Sequence, residues 1–483
     1  MRYVLLFIPF LLSLACGSNP VLRYSIAWTG SFVILWLSLS GRIRPLPGGL
    51  PVRYQLLRPI VFTQVIFATY TALTSIFYFV LATGRSSSIL GLPNPSRDLA
   101  AQAQMYYVLA HASVTTGMLL FASYSDSGLY RLRTTTSTET LLLRLAFAFF
   151  IGMLLVARIP LLSELTVRLR SFALAASVCS FALCIIRRRT ALLLMNGVVF
   201  VLNFLLALLS GWKEEVIILL AWFGMVLYPY HRRATIAFAT MMIVLFVLFM
   251  PAYTTLYRTL AWANQIDPAM AMQQAYRYIK AGNVNIELAV RSFLVVRVSE
   301  ISLFVGYLDQ VPRVRPFYGA QILEQTGVAF VPRILWRKKP LLEPLIMERV
   351  YQNGIVSRTS AVSAKPQFVV DGYLTAGAVG VFITCLLYGM LATLASRVAE
   401  RWFGGYLLGS GLVYSALFQV FWRGNSFEMF FPTVFWSFMV MGALFVGGRT
   451  FGVLVASPAA PPRASLAPPS DAQEGEPIIV PAT

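Results

Sequence analysis

The chain has 483 residues, of which 58% are hydrophobic and only 12% charged, with a mean hydropathy of +0.71. Soluble globular domains carry about 25% charged residues. The deficit falls in separate apolar runs long enough to cross a ~30 Å hydrocarbon layer as helices, which excludes a soluble enzyme. Lys and Arg outnumber Asp and Glu by 39 to 19, but they are spread along the chain rather than gathered in one domain, so a nucleic-acid-binding module is excluded too.

In chain order, membrane helices are expected near 3–20, 24–40, 59–83, 99–123, 141–157, 171–186, 190–210, 215–230, 234–256, 369–395, 405–422 and 428–447. Arg42, Arg44, Arg53 and Arg58 follow the second of these. Arg131 and Arg133, then Arg187 to Arg189, then Arg232 and Arg233, then Arg397 and Arg401 follow later even-numbered ones. Basic residues collect on the cytoplasmic side, so these loops and both termini are expected to be cytoplasmic. The expected fold is an all-α polytopic protein of about twelve transmembrane helices in a bacterial inner membrane. The stretch 158–170 is the weak joint, being basic yet assigned outside. Leu14-Ala15-Cys16-Gly17-Ser18 looks like a lipoprotein cleavage point. Ser13 stands where Leu is usual, however, and the first span is expected to be retained.

Residues 1–256 thus hold spans one to nine, 257–368 form a large outward-facing segment, and 369–447 hold spans ten to twelve. Residues 448–483, rich in Pro, Ala and Ser from 457 onward, are expected to be a disordered cytoplasmic tail. The four cysteines, Cys16, Cys179, Cys184 and Cys385, all lie in apolar runs, and His111 and His231 are the only histidines. No disulfide framework, metal site or cofactor is expected from them. His111, within the fourth span, is expected to be a hydrogen-bonded core residue.

The outward segment 257–368 holds 14 basic and seven acidic residues, and ten of the basic ones are Arg. The planar guanidinium fork matches phosphate oxygens, so an anionic ligand at the outer membrane face is expected. One stretch, Arg291-Ser-Phe-Leu-Val-Val-Arg297-Val-Ser-Glu300 running on to Phe304 and Tyr307, reads as an amphipathic helix. It would set Arg297 and Glu300 one turn apart on one face; a surface ion pair is the plain alternative. A second, Val331-Pro332-Arg333-Ile-Leu-Trp336-Arg337-Lys338-Lys339-Pro340, reads as one turn of helix bracketed by prolines. It either presents its cations in a fixed direction or anchors the segment at the membrane surface. Asp371, at the outer end of span ten, is a functional candidate or a helix N-terminal charge.

The order Arg-x-Ser-Glu, then Pro-Phe-Tyr-Gly at 316–319, then Val-Pro-Arg-x-Leu-Trp-x-x-Lys-Pro at 331–340 resembles the outer loop of bacterial O-antigen (Wzy-type) polymerases. Asp371-Gly-Tyr373-Leu-Thr-Ala-Gly377-Ala-Val-Gly380 is similar to the start of the family's following span. Gly211-Trp-Lys213-Glu214 is similar to its short Gly-x-Lys or Gly-x-Arg element. The similarity covers about 291–380, and it departs at Lys338, where related sequences usually carry an acid. The long loop is also similar to that of O-antigen ligases.

The resemblance implies a GT-C-like architecture and a polymerase of oligosaccharide repeat units carried on undecaprenyl pyrophosphate. It also implies membrane lipids and chain-length-regulating and flippase proteins as partners. Arg291, Arg297, Arg333, Arg337 and Lys339 would contact the pyrophosphate or sugar phosphate. Glu300 would be the first candidate for general base and Asp371 the second. Lys213 and Arg423, at the outer ends of other spans, would close the site from the membrane side. The alternatives are a ligase using the same donor and a transporter of anionic or lipid-linked substrate. A transporter is expected to carry ionisable groups in mid-membrane, and these spans hold few.

Overall fold

The computed structural model describes residues 2–47, 51–81, 96–124, 128–159, 163–209, 213–282, 285–299, 301–331, 335–336, 338–358 and 364–457. They are helical nearly throughout, because a helix satisfies its own backbone groups where water is absent. A 3₁₀ turn, Arg2–Phe7, leads into α1 (Ile8–Ala15) and α2 (Pro20–Leu39). The start of α2 lies four residues before the expected one. Asn19 caps it by accepting from the amides of Val21 and Leu22, with Pro20 at the first helical position. The third expected span is α3 (Pro59–Ile66), a π-helical segment Phe67–Leu73, and α4 (Ser75–Leu81). Then come α5 (Arg97–Phe121), α6 (Thr138–Val156), α7 (Ser163–Ile186), α8 (Thr190–Leu209), α9 (Lys213–Leu227) and α10 (Arg232–Arg258).

The segment 257–368 is built of short helices: α11 (Pro268–Lys280), α12 (Ile286–Ser292), α13 (Ile301–Gln310), α14 (Gln321–Phe330) and α15 (Leu342–Gln352). The chain then re-enters the bundle as α16 (Phe368–Trp402), a π-helical stretch Leu407–Tyr414, α17 (Val420–Arg423) and α18 (Phe427–Thr450). Among the described residues, eight helices are long and apolar enough to cross a membrane, and three shorter ones are apolar. The protein is therefore an all-α chain of the multi-pass membrane class.

α5 is the axis of the bundle. It is buried along most of its 25 residues and packs on α2 and α16. It does not meet the apolarity of the eight, since it carries Gln104, His111, Ser113, Thr115 and Thr116; its neighbours shield these from lipid. α5 and the long part of α16 run in the same direction: Gly389 lies against Val114, and further along Arg397 donates to the Phe121 carbonyl (3.1 Å). Glycines bring the two backbones together: a Cβ at Gly117 would lie 2.1 Å from the Leu386 carbonyl oxygen, and one at Gly389 2.0 Å from that of Val114. His111 corrects its expectation. It is buried on α5, yet neither ring nitrogen has a hydrogen-bond partner among the described residues, and the ring packs 5.4 Å from Phe67.

Two further expectations change. The stretch 291–307 is not one helix: α12 passes into a π-helical segment, Phe293–Val298, and a bend at Ser299 separates it from α13. The described residues of 331–340 are not helical, and Val331 leaves α14 in an extended conformation. Residues 448–456, expected in the disordered tail, are ordered. α18 runs to Thr450, and β2 (Leu454–Ala456) then pairs antiparallel with β1 (Tyr130–Leu132). Residues 458–483 lie outside the described residues.

Candidate functional site

The site is built on the start of α16. Its first two turns, Phe368–Thr375, end where Ala376 (φ −156°, ψ 35°) and Gly377 (φ 61°, ψ −140°) leave helical geometry. The Gly377 conformation belongs to a region that side-chain-bearing residues rarely enter. There the chain doubles back, so that a Cβ at Gly380 would lie 2.0 Å from the Gly372 carbonyl oxygen. In a continuous helix those residues would be about 12 Å apart along the axis. The expected tenth span is thus a short arm folded against the long helix that follows it.

The loop Pro316–Gly319 covers this turn. The Phe317 ring lies 3.2 Å from where a Gly377 Cβ would stand and meets Tyr373 edge-on at 5.6 Å. The Tyr318 amide donates to the Leu374 carbonyl (2.9 Å), and the Tyr373 hydroxyl donates to that of Val311 (2.9 Å). Two stretches singled out in the sequence, 316–319 and 371–380, are therefore in contact.

Beneath the turn lies a buried ionic cluster that sequence reading missed. Arg349 of α15 donates through Nη2 to Asp371 Oδ1 (3.0 Å) and Glu428 Oε2 (3.3 Å), and through Nη1 to Glu428 Oε1 (2.7 Å) and Gln325 Oε1 (3.2 Å). The three charged residues are 3%, 0% and 1% exposed. Burial opposes the Arg349 charge, but Asp371 and Glu428 beside it outweigh that and hold the guanidinium above even its usual high range. Asp371 Oδ2 accepts from the Phe427 amide (2.9 Å), so the carboxylate serves the N-terminus of α18 rather than that of its own helix. Tyr307 of α13 is buried beside the cluster. Its hydroxyl has no partner among the described residues, and burial raises its pKa.

Of the residues expected from sequence, Asp371 is therefore enclosed, with both oxygens engaged. Arg423 ends α17, and the carbonyl of the next residue, Gly424, accepts from the Phe368 amide (2.8 Å). The chain from Gly424 to Phe427 thus runs along the start of the arm, touching it at Phe368 and Asp371. Arg423 also lines a small cleft walled by Ile66, Phe67, Phe421 and Trp422, with Gln367 beside it. Arg291 is exposed and pairs with Glu287 one turn earlier (2.7 Å). The Lys339 ammonium donates to the carbonyls of Ala329 (2.8 Å) and Val331 (2.9 Å), which closes the end of α14. Arg297 falls in the π-helical segment and Lys213 opens α9, but their side chains are outside what is described. Glu300, Arg333 and Arg337 lie outside the described residues.

Two signals could have found the missed residues. Arg349 sits among Ile346, Met347 and Val350, all buried on one side of α15, and Glu428 interrupts the apolar run Phe427-Glu-Met-Phe-Phe431. The family model for a domain of unknown function, DUF8712, matches residues 8–456, and the chain belongs to that family. Neither a curated protein nor a solved structure matches it.

Proposed function

We propose that this member of the DUF8712 family is an inner-membrane enzyme of GT-C-like architecture, with about twelve spans and cytoplasmic termini. It polymerises oligosaccharide units carried on undecaprenyl pyrophosphate at the outer face. The observation that carries the reading is the meeting of Pro316–Gly319 with the Asp371–Gly380 turn, the two elements similar to those of O-antigen polymerases; a small cleft that Arg423 lines lies at the Gln367–Val369 base of the same arm. In the reaction a sugar hydroxyl of one unit attacks the anomeric carbon of the growing chain, and the bond to the lipid pyrophosphate breaks. The transition state resembles an oxocarbenium ion, and negative charge gathers on the departing pyrophosphate. Fixed guanidinium groups stabilise that charge; Arg423 and the arginines of the outer segment are the candidates. Glu300 would take the hydroxyl proton. Asp371, with both oxygens engaged, acts as a positioning residue that joins the arm, α15 and α18.

The test is a gel of surface and secreted polysaccharide from a strain lacking the gene, complemented with wild type or Arg423→Ala. Loss of the long-chain ladder with single repeat units retained, restored by wild type only, supports polymerisation. Lipid-linked long chains accumulating while the lipid A core carries no repeat unit would make it a ligase. An unchanged pattern in the deletion strain would overturn both and favour a transporter.

A further inference from the structure

Ionised, Asp371 and Glu428 bring two negative charges to the cluster and Arg349 brings one positive. Among the described residues, this enclosed site therefore carries a net charge of −1. An unbalanced charge in a water-free interior is strongly unfavourable unless something neutralises it. Among the described residues, the titratable and charged groups facing the site are Arg349 from α15, Tyr307 from α13, Tyr318 from the loop before α14, Asp371 from α16 and Glu428 from α18, with uncharged Gln325 from α14. None of these supplies a second cation.

A second observation points into the same place. The Tyr307 hydroxyl is fully buried, interacts electrostatically with all three charged residues, and has no hydrogen-bond partner among the described residues. The Ser426 hydroxyl, next in sequence to the amide that Asp371 accepts from, is likewise buried without a partner. Buried hydroxyls left in this way normally indicate a missing partner.

We propose that the Arg349–Asp371–Glu428 cluster binds one further positive charge, a proton or a sodium-sized monovalent cation, held between the two carboxylates and the Tyr307 hydroxyl. Its binding neutralises the site and lets α15 seat on α16 and α18. The two sources differ in their linkage. A proton held only in the folded state means that the folded chain binds more protons than the unfolded one above the ordinary carboxylate range of about 4. Stability then falls as pH rises through the site's own titration. A bound cation instead makes stability rise with its concentration.

The experiment measures the thermal midpoint of the full-length protein in lipid nanodiscs. One series varies pH at fixed sodium, and the other varies sodium at fixed pH with choline making up the ionic strength. Wild type is expected to respond to one of the two by several °C, which identifies the source. Glu428→Gln and Asp371→Asn, which each remove one negative charge, are expected to lose that response. Infrared spectra of wild type alone add a check that needs no variant. If a proton is held, a protonated-carboxyl band is present at neutral pH and shifts in deuterated buffer. A wild-type midpoint indifferent to both variables, with no such band, overturns the proposal. So does a response that persists unchanged in both variants.

Discussion

α16 has a buried ionic knot at each end, and the two are built differently. At the Glu400 end, Arg58 donates through Nε and Nη2 to the two oxygens of Glu400 (2.8 and 2.7 Å) and through Nη1 to Gln55 (2.7 Å). The face of Tyr124 lies 4.1 Å from the guanidinium carbon, and Ser410 donates to Glu400 Oε1 (2.7 Å). The charges cancel, and every guanidinium nitrogen of Arg58 is engaged. At the Asp371 end one arginine meets two carboxylates, and Arg349 Nε, the Tyr307 hydroxyl and the Ser426 hydroxyl lack partners among the described residues. A saturated, neutral knot anchors helices. A knot with surplus charge and idle donors is completed by something else, and it lies under the segment that carries the candidate motifs.

The contrast breaks most readily through one substitution at each end. Glu400→Ala strands Arg58 in the interior and is expected to cost about 3–5 kcal/mol, read as loss of folded protein or of unfolding free energy in detergent. Glu428→Gln, which keeps the hydrogen-bonding shape and removes the surplus charge, is expected to cost less than about 1 kcal/mol or to stabilise. Equal losses at the two ends would erase the distinction. Gly377→Ala sharpens the Asp371 end alone. It forces a side chain into φ 61°, ψ −140° and against Phe317, and about 1–3 kcal/mol should be lost in the same assay. Arg291→Ala is the smallest effect. Its exposed pair with Glu287 is worth roughly 0.5 kcal/mol or less, so unfolding should be unchanged within error.

The transmembrane part was largely legible in the sequence, because an apolar run of about 20 residues matches the thickness of the hydrocarbon layer and is costly to leave in water. Among the described residues eight helices are long and apolar enough to cross a membrane, whereas α5 is recognisable only as a helix shielded by its neighbours and the expected tenth span is broken at Gly377. The fold-back at Gly377 was not legible: Asp371-Gly-Tyr-Leu-Thr-Ala-Gly377 keeps its apolar character through the turn, and hydropathy does not register a change of φ. The cluster was half legible. Asp371 stood out as a carboxylate at the edge of a span, but its partners come from 22 residues before it and 57 after it, and no local pattern pairs them. Arg349 was one of ten arginines in the outward segment, and only its burial among apolar neighbours separates it from the exposed ones. Arg58 was counted as one more residue of a cytoplasmic basic cluster, whereas its guanidinium is turned inward onto Glu400.

The most direct test of the account follows Asp371→Asn in the deletion strain, scoring membrane-inserted protein and polysaccharide length side by side. If the Asp371 knot belongs to the site of a polymerase, the variant should be present in the membrane near the wild-type amount while the long-chain ladder collapses to single repeat units. A full-length ladder from cells carrying only Asp371→Asn would contradict it.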